Sequence, residues 1–389
     1  MQNCLIRNAR IYDTASRSFF EGDLFLQDCR IAALSVGNAL PLPAGGACEV
    51  FDAEGRTVVP GLVDVHTHGR AGADFGSATA EELYTTSASY LASGVTTVLP
   101  TLASAPLDEL YASIDRINAL AKAAESDPAL PYVAGIHLEG RYLNPAKRGA
   151  HAPTLLAPLA PDELGDLLAQ INGARHLSAA LELDGGEEFL ERAISLGATV
   201  GLGHSAADYA TATRLIDRGV TAMTHLFNAM LPLHHRDGGA VAAGLLSDTT
   251  YCEVICDGVH IAPEMVKLAY RLAKDRFVLI TDSMEATGCP DGEYSIAGMP
   301  VTVKDGRAVT HDGAIAGSTL SLWQAVRNLC DFAGISLGEA VYAATMAPAL
   351  EIGLANEIGS LEVGKRADLL VLDDTLTPVR VMCGGVWAK

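Results

Sequence analysis

Residues 63–101 read VDVHTHGRAGADFGSATAEELYTTSASYLASGVTTVLPT. An apolar run, VDVH, is followed by the helical pattern AEELYTTSASYLASG and a second apolar run, VTTVLPT. Strand, helix and strand in that order, with both strands apolar on both faces, describe parallel strands covered by helices. The first strand ends in His66 and His68. Side chains at i and i+2 of a strand point to the same face, so the two imidazoles project together.

Outward from this unit the rhythm repeats. LDELYASIDRINALAKAA is helical and YVAGIHLE a strand. PDELGDLLAQI, LSAALEL, EEFLERAISLG, TVGLGH and ADYATATRLIDRG continue the alternation. TAMTHLF, YCEVICD and FVLITD are further strands, with the helix APEMVKLAYRLAKD before the last. LSLWQAVRNLCDFAG and LGEAVYAATMAPALEIG close the region as helices. Eight strands favour a (β/α)8, TIM-like barrel over residues 60–354. A doubly wound sheet lacks support, because no GxGxxG phosphate loop is present.

The flanks differ. LIRNARIYD, DLFLQDCRIAAL and GRTVVPG are β-rich pieces, and ALPLPAGGA is a loop. SLEVGKRADLLVLD and VRVMCGGVWAK have the same character at the far end. Residues 1–59 and 355–389 are therefore expected to form one small β-sandwich domain from both termini.

The bulk numbers bound the function. The 389 residues are 49% apolar and carry a net charge of −20, which argues against nucleic-acid and anionic-membrane partners. No apolar run of membrane-spanning length is present. The first residues lack a signal-peptide pattern, and the 8 cysteines form no CxxC pair, so a reduced, cytoplasmic setting is expected.

Ionisable residues close the strands. The first ends in His66 and His68, the third in Glu139, the fifth in His204 and the sixth in His225. The seventh leads to Asp257 and His260, and the eighth ends in Asp282. The C-terminal strand ends of a barrel converge on one mouth, where active sites sit. Each residue alone has an ordinary structural explanation, as a satisfied histidine, a helix cap or an ion-pair partner. Together, four histidines and a carboxylate suit a borderline divalent ion.

The stretches PGLVDVHTHG, HLEGRYLNPAKRGAH, GLGHSAA, THLFNAMLPLHHR, CDGVH, ITDSMEATGCPDGEY, AGSTL and EIGSLEVGKRADLLVLD resemble the amidohydrolase superfamily, and within it the N-acetylglucosamine-6-phosphate deacetylase family, over nearly the whole chain. The resemblance implies metal-dependent hydrolysis of a phosphorylated N-acetyl amino sugar. It implies Glu139, His204 and His225 as ligands of a main metal, and His66 and His68, bridged by Glu139, as ligands of a second. One or two divalent ions are expected, zinc first, with iron, manganese or cobalt as alternatives. Asp282 is implied as catalytic acid and base, and His151 as the group polarising the substrate carbonyl. Ala150, Asn228, Ala229, Arg236, Asp257, His260, Ile315, Ala316, Gly317 and Ser318 are implied at the sugar phosphate. The resemblance implies a homodimer in which Arg236 reaches across the interface.

Arg141 stands where the family has proline, and Ser283-Met284-Glu285 replaces its more usual sequence. Arg141 is either a pocket-shaping residue or a solvated loop charge. Cys256 and Cys289 are expected as small apolar fillers. A cyclic-amide hydrolase is disfavoured, because LSAALELD offers no lysine for carboxylation. The gluco and galacto epimers stay open, and so does occupancy of the second metal position. A metal-free scaffold is the non-catalytic alternative, and it predicts lost ligands.

Overall fold

The computed structural model describes residues 3–42, 48–311 and 313–388. The greater part of the loop expected at ALPLPAGGA, residues 43–47, lies outside them. The central strands are β1 (Leu62–Thr67), β2 (Val95–Leu102), β3 (Gly135–Glu139), β4 (Ala174–Ala179), β5 (Thr199–Leu202), β6 (Ala222–Met223), β7 (Tyr251–Ile255) and β8 (Phe277–Ile280). They pair in parallel from β1 to β8, with Tyr132–Val133 a short addition beside β2. Closure between β8 and β1 comes from the Asp282 N–H, which donates to the His66 carbonyl at 2.9 Å, and from the Thr281 hydroxyl on Asp64 Oδ2 at 2.6 Å.

β1, β2, β3 and β8 are buried at every position. Such strands gain stability from apolar burial on both faces, which explains their continuous apolar runs. The helices turn one apolar stripe inward. Helix Ala80–Ala92 buries Leu83, Ser87, Tyr90 and Leu91, and it starts at a capping box between Thr79 and Glu82.

The terminal segments build one eight-stranded sheet that branches at Asn3–Asp13. The first half of that strand pairs with Cys48–Asp52, and Arg10 and Ile11 pair with Thr57 and Val58. Leu369–Leu372 joins from the far end of the chain against Thr57–Pro60. Ile6, Leu24, Val58, Leu369 and Met382 share a separate apolar core.

Three details depart from the sequence reading. LGEAVYAATMAPALEIG holds two helices, Leu337–Ala343 and Met346–Glu351, not one. The break frees the Ala344 carbonyl, which accepts the Val63 N–H at 3.0 Å. TAMTHLF is strand only at Ala222–Met223, so His225 stands beyond the strand. After β8 comes an unforeseen antiparallel meander, Gly292–Ile296, Met299–Lys304 and Arg307–Thr310. Its core of Met284, Ile296, Val301, Val303 and Ala316 lies over the barrel mouth.

Candidate active site

A cavity of about 490 Å³ opens at the C-terminal strand ends, with His68, Glu139, His204, His225 and Asp282 in its wall. Glu139 stands at its centre. Its Oε2 faces His68 Nε2 at 2.9 Å and His66 Nε2 at 3.4 Å, while its Oε1 faces His225 Nε2 at 3.0 Å and His204 Nε2 at 3.3 Å. One carboxylate thus separates two histidine pairs. Asp282 Oδ1 lies 3.3 Å from His68 Nε2 and 3.6 Å from His66 Nε2. All six side chains are buried.

The backbone bends sharply where these groups sit. His204, His225 and Asp282 have φ of 48°, 30° and 47°, in the left-handed region. Each costs of order 1 kcal/mol or more for a residue with a Cβ, and such strain collects at functional sites. All three of these residues line the cavity.

Partners behind two of the ligand histidines, His204 and His66, bear on their tautomers. His204 Nδ1 is 2.8 Å from the Lys147 carbonyl, which only accepts, so Nδ1 carries the proton and Nε2 offers a lone pair. His66 Nδ1 is 3.1 Å from Glu253 Oε2. Glu253 also meets His176 Nε2 at 3.1 Å and the His225 N–H at 3.3 Å, joining the two ligand pairs from below. This is the outer layer that orients metal-binding histidines.

The carboxylates and imidazoles of the site hold one another in their charged forms. Burial would raise Glu139, yet the surrounding imidazoles, His66 foremost, hold it well below the usual carboxylate range. Burial would likewise raise Asp282, but the His68 bond and the His66 charge keep it below that range. Burial disfavours charge on His68, yet Asp282 and Glu139 lift it to about 9. Burial and then His204 push His151 down to about 3.

The donor set fits a divalent metal. His66, His68, Glu139 and Asp282 bring one ligand atom each within 4.8 Å of one another, and His66 Nε2 is buried without a hydrogen-bond partner. His204 Nε2 and His225 Nε2 approach to 3.1 Å. Together with Glu139 Oε1, which faces both, they offer imidazole and carboxylate donors of the kind that hold zinc.

His151, Ala150, Asn228, Ala229 and His260 line the same cavity, as do Ile315, Ala316 and Gly317. Three of the residues expected at the sugar phosphate do not reach the wall in their own chain. Asp257 stands behind His260, with Oδ2 2.7 Å from its Nδ1. Ser318 is buried behind Asp282, its N–H donating to the Asp282 carbonyl at 2.7 Å. Arg236 is exposed, with Nη1 2.7 Å from His235 Nε2.

The sequence departures find places too. Arg141 turns away from the cavity and pairs with Glu163 at 3.1 Å, so it neither shapes the pocket nor stands free in solvent. The Ser283 hydroxyl lies 2.7 Å from Thr67 Oγ1 and 2.9 Å from the Tyr90 hydroxyl, tying the ends of β1 and β8. Met284 packs in the meander core. Cys256 is buried and Cys289 half-buried, and neither joins the ligand groups among the described residues.

Sequence reading missed Glu253, His176, His137 and Glu351, which form a polar layer below the ligands. The signal was an ionisable residue inside an apolar strand, as in YCEVI and GIHLE. Burial, then Glu253, holds Glu351 well above the usual carboxylate range.

The model of the amidohydrolase family matches residues 57–388. The N-acetylgalactosamine-6-phosphate deacetylase of Escherichia coli O157:H7 is 35% identical over 370 residues, covering 95% of this chain and 96% of its own. The N-acetylglucosamine-6-phosphate deacetylase of Vibrio furnissii is 35% identical over 316 residues, 81% of this chain and 78% of its own. Among solved structures, a variant N-acetyl-D-glucosamine-6-phosphate deacetylase of Mycobacterium smegmatis, in complex with N-acetyl-D-glucosamine-6-phosphate, superposes with a TM-score of 0.88 at 32% identity, covering 100% of both chains.

Proposed function

The chain belongs to the amidohydrolase family, and from that membership and the site geometry we propose that it hydrolyses the N-acetyl group of N-acetyl-D-glucosamine 6-phosphate, releasing D-glucosamine 6-phosphate and acetate. The observation that carries the reading is the Glu139 carboxylate between two histidine pairs, with Asp282 beside one pair. N-acetylgalactosamine 6-phosphate is the second reading, favoured by the similarity to the Escherichia coli O157:H7 enzyme.

Glu139, His204 and His225 would hold a main divalent ion, and His66 and His68, with Glu139 shared, a second. Zinc suits this imidazole and carboxylate set, and iron, manganese or cobalt are the alternatives. When bound, such an ion acts as a Lewis acid and lowers the pKa of water to about 7.

Asp282, ionised at neutral pH, takes the proton of the attacking water as the water oxygen bonds to the acetyl carbon. The same proton then passes from Asp282 to the sugar nitrogen as the C–N bond breaks, general base followed by general acid. His151 Nε2–H donates to the acetyl oxygen as negative charge gathers there. Ala150, Asn228, Ala229 and His260, held by Asp257, receive the phosphorylated sugar with the 315–318 loop. Arg236 is proposed to reach the phosphate from the second subunit of a homodimer.

The division into a terminal β unit, 1–59 with 355–389, and a barrel unit, 60–354, is part of the same proposal. No helix among the described residues is long and apolar enough to cross a membrane. A cytoplasmic setting is proposed on the free cysteines.

Acetate release from a panel of N-acetyl hexosamines, with and without the 6-phosphate, tests the reading on zinc-loaded protein. The expected result is fastest turnover of the gluco 6-phosphate and strong preference for phosphorylated sugars. Faster turnover of the galacto epimer would move the assignment to the second reading, and no acetate from any member would remove the deacetylase assignment.

A further inference from the structure

The second strand offers no ionisable residue at its end, yet it reaches the site through Ser104, two residues past β2. Ser104 is buried, and its Oγ lies 2.9 Å from His151 Nδ1. That oxygen also accepts the Arg141 N–H at 2.9 Å, which leaves the hydroxyl proton free to point at the imidazole. The Ser104 backbone N–H faces the same Nδ1 at 3.4 Å, and a backbone N–H can only donate. Two donors converge on one ring nitrogen. The close approach depends on Gly140, where a Cβ would lie 2.3 Å from Ser104 N.

A neutral imidazole carries one N–H. If Nδ1 accepts, that proton is on Nε2, the nitrogen that faces Glu139 Oε2 at 3.9 Å. We infer that Ser104 is a positioning residue that locks His151 as the Nε2–H tautomer, making it a hydrogen-bond donor to the substrate rather than a metal ligand. A ligand role, which the proximity of His151, Glu139 and His204 would otherwise permit, needs a lone pair on Nε2. It would place Nδ1–H against the Ser104 N–H. With the Ser104 N–H and hydroxyl both facing Nδ1, that nitrogen keeps its lone pair, and the choice of tautomer decides the chemistry of the ring.

The catalytic consequence rests on the deacetylase reading, but the tautomer does not, and the test separates them. The long-range ¹H–¹⁵N correlation pattern of the imidazoles is recorded on zinc-loaded protein, and the His151 signal is identified as the one lost in His151→Asn. The expected wild-type pattern is a protonated Nε2 and an accepting Nδ1, shifting toward a tautomer mixture in Ser104→Ala. A protonated Nδ1 in the wild type overturns the inference whatever the enzyme hydrolyses.

In kinetics, Ser104→Ala should lower kcat by about three- to tenfold, the worth of one hydrogen bond, with KM within about twofold and zinc content unchanged. In the His151→Asn background the same substitution should cost nothing further. An equal loss in both backgrounds would assign Ser104 a structural role and overturn the inference. A wild type that releases no acetate sinks the deacetylase reading alone, leaving the ring pattern to decide on Ser104.

Discussion

Asp282 combines a left-handed backbone, φ 47°, with a carboxylate buried beside two imidazoles. Its backbone N–H holds β8 to β1 through the His66 carbonyl, so the residue that is proposed to move protons also helps close the barrel. The two roles use different atoms, and substitution of the side chain separates them. Asp282→Asn should fold and retain metal, because the backbone bond and the proposed metal ligands survive. Turnover should fall by about 10²–10⁴-fold, the usual worth of a positioned general acid and base. Acetate release and metal analysis on the purified variant check this, and a kcat above a tenth of wild type would take Asp282 out of the role. Motif and strand position made Asp282, His66, His68, Glu139, His204 and His225 legible in the sequence. Ser104 and Glu253 were not, since a serine after a strand and a glutamate within one acquire meaning only from the imidazole they face.

At the scale of elements, the 314–318 loop and the meander carry the site's upper wall. The Ser318 N–H and hydroxyl bond the Asp282 and Thr281 carbonyls, at 2.7 and 2.5 Å, so the loop clamps the end of β8. Gly317 allows this with φ of 61° and no side chain. An added Cβ would lie 2.9 Å from Ile296 Cδ1 and 3.2 Å from the Asp282 carbonyl oxygen. Gly317→Ala therefore adds left-handed strain of about 1 kcal/mol to a crowded contact. The expected result is kcat/KM lower by about tenfold. Steady-state kinetics check it, and a change within twofold would mean that the clamp is not needed to hold Asp282. The meander escaped the sequence reading because GEYSI, MPVTVK and RAVT are short, half-polar and set among glycines, with a core completed by Met284 and Ala316 from outside it.

For the whole molecule, the unabsorbed feature is Arg236. In a chain of net charge −20 it stands exposed beside His234 and His235, outside the cavity of its own chain. Guanidinium pairs bidentately with phosphate, which suits the clamp proposed across a dimer interface. Arg236→Ala should lower kcat/KM on the 6-phosphate by about one to two decades, as loss of a charged hydrogen bond predicts. The bare sugar should be affected far less. Mixing Arg236→Ala with Asp282→Asn subunits should restore one intact site per mixed dimer. No recovery in verified mixed dimers would return Arg236 to its own chain or remove it from the site.

What the sequence determined by itself is the alternation of apolar strands and amphipathic helices, the ionisable residues at strand ends and the β character of both termini. These are readable because burial imposes a local period on the chain, and because charge at the end of an apolar run stands out from it. Only the tertiary structure decided which Glu139 oxygen faces which histidine pair, that Arg141 pairs with Glu163, and that Ser104 meets His151 across 47 positions of sequence. Tautomers, left-handed bends and ion pairs are set by atoms that become neighbours when the barrel closes, and no local pattern encodes them.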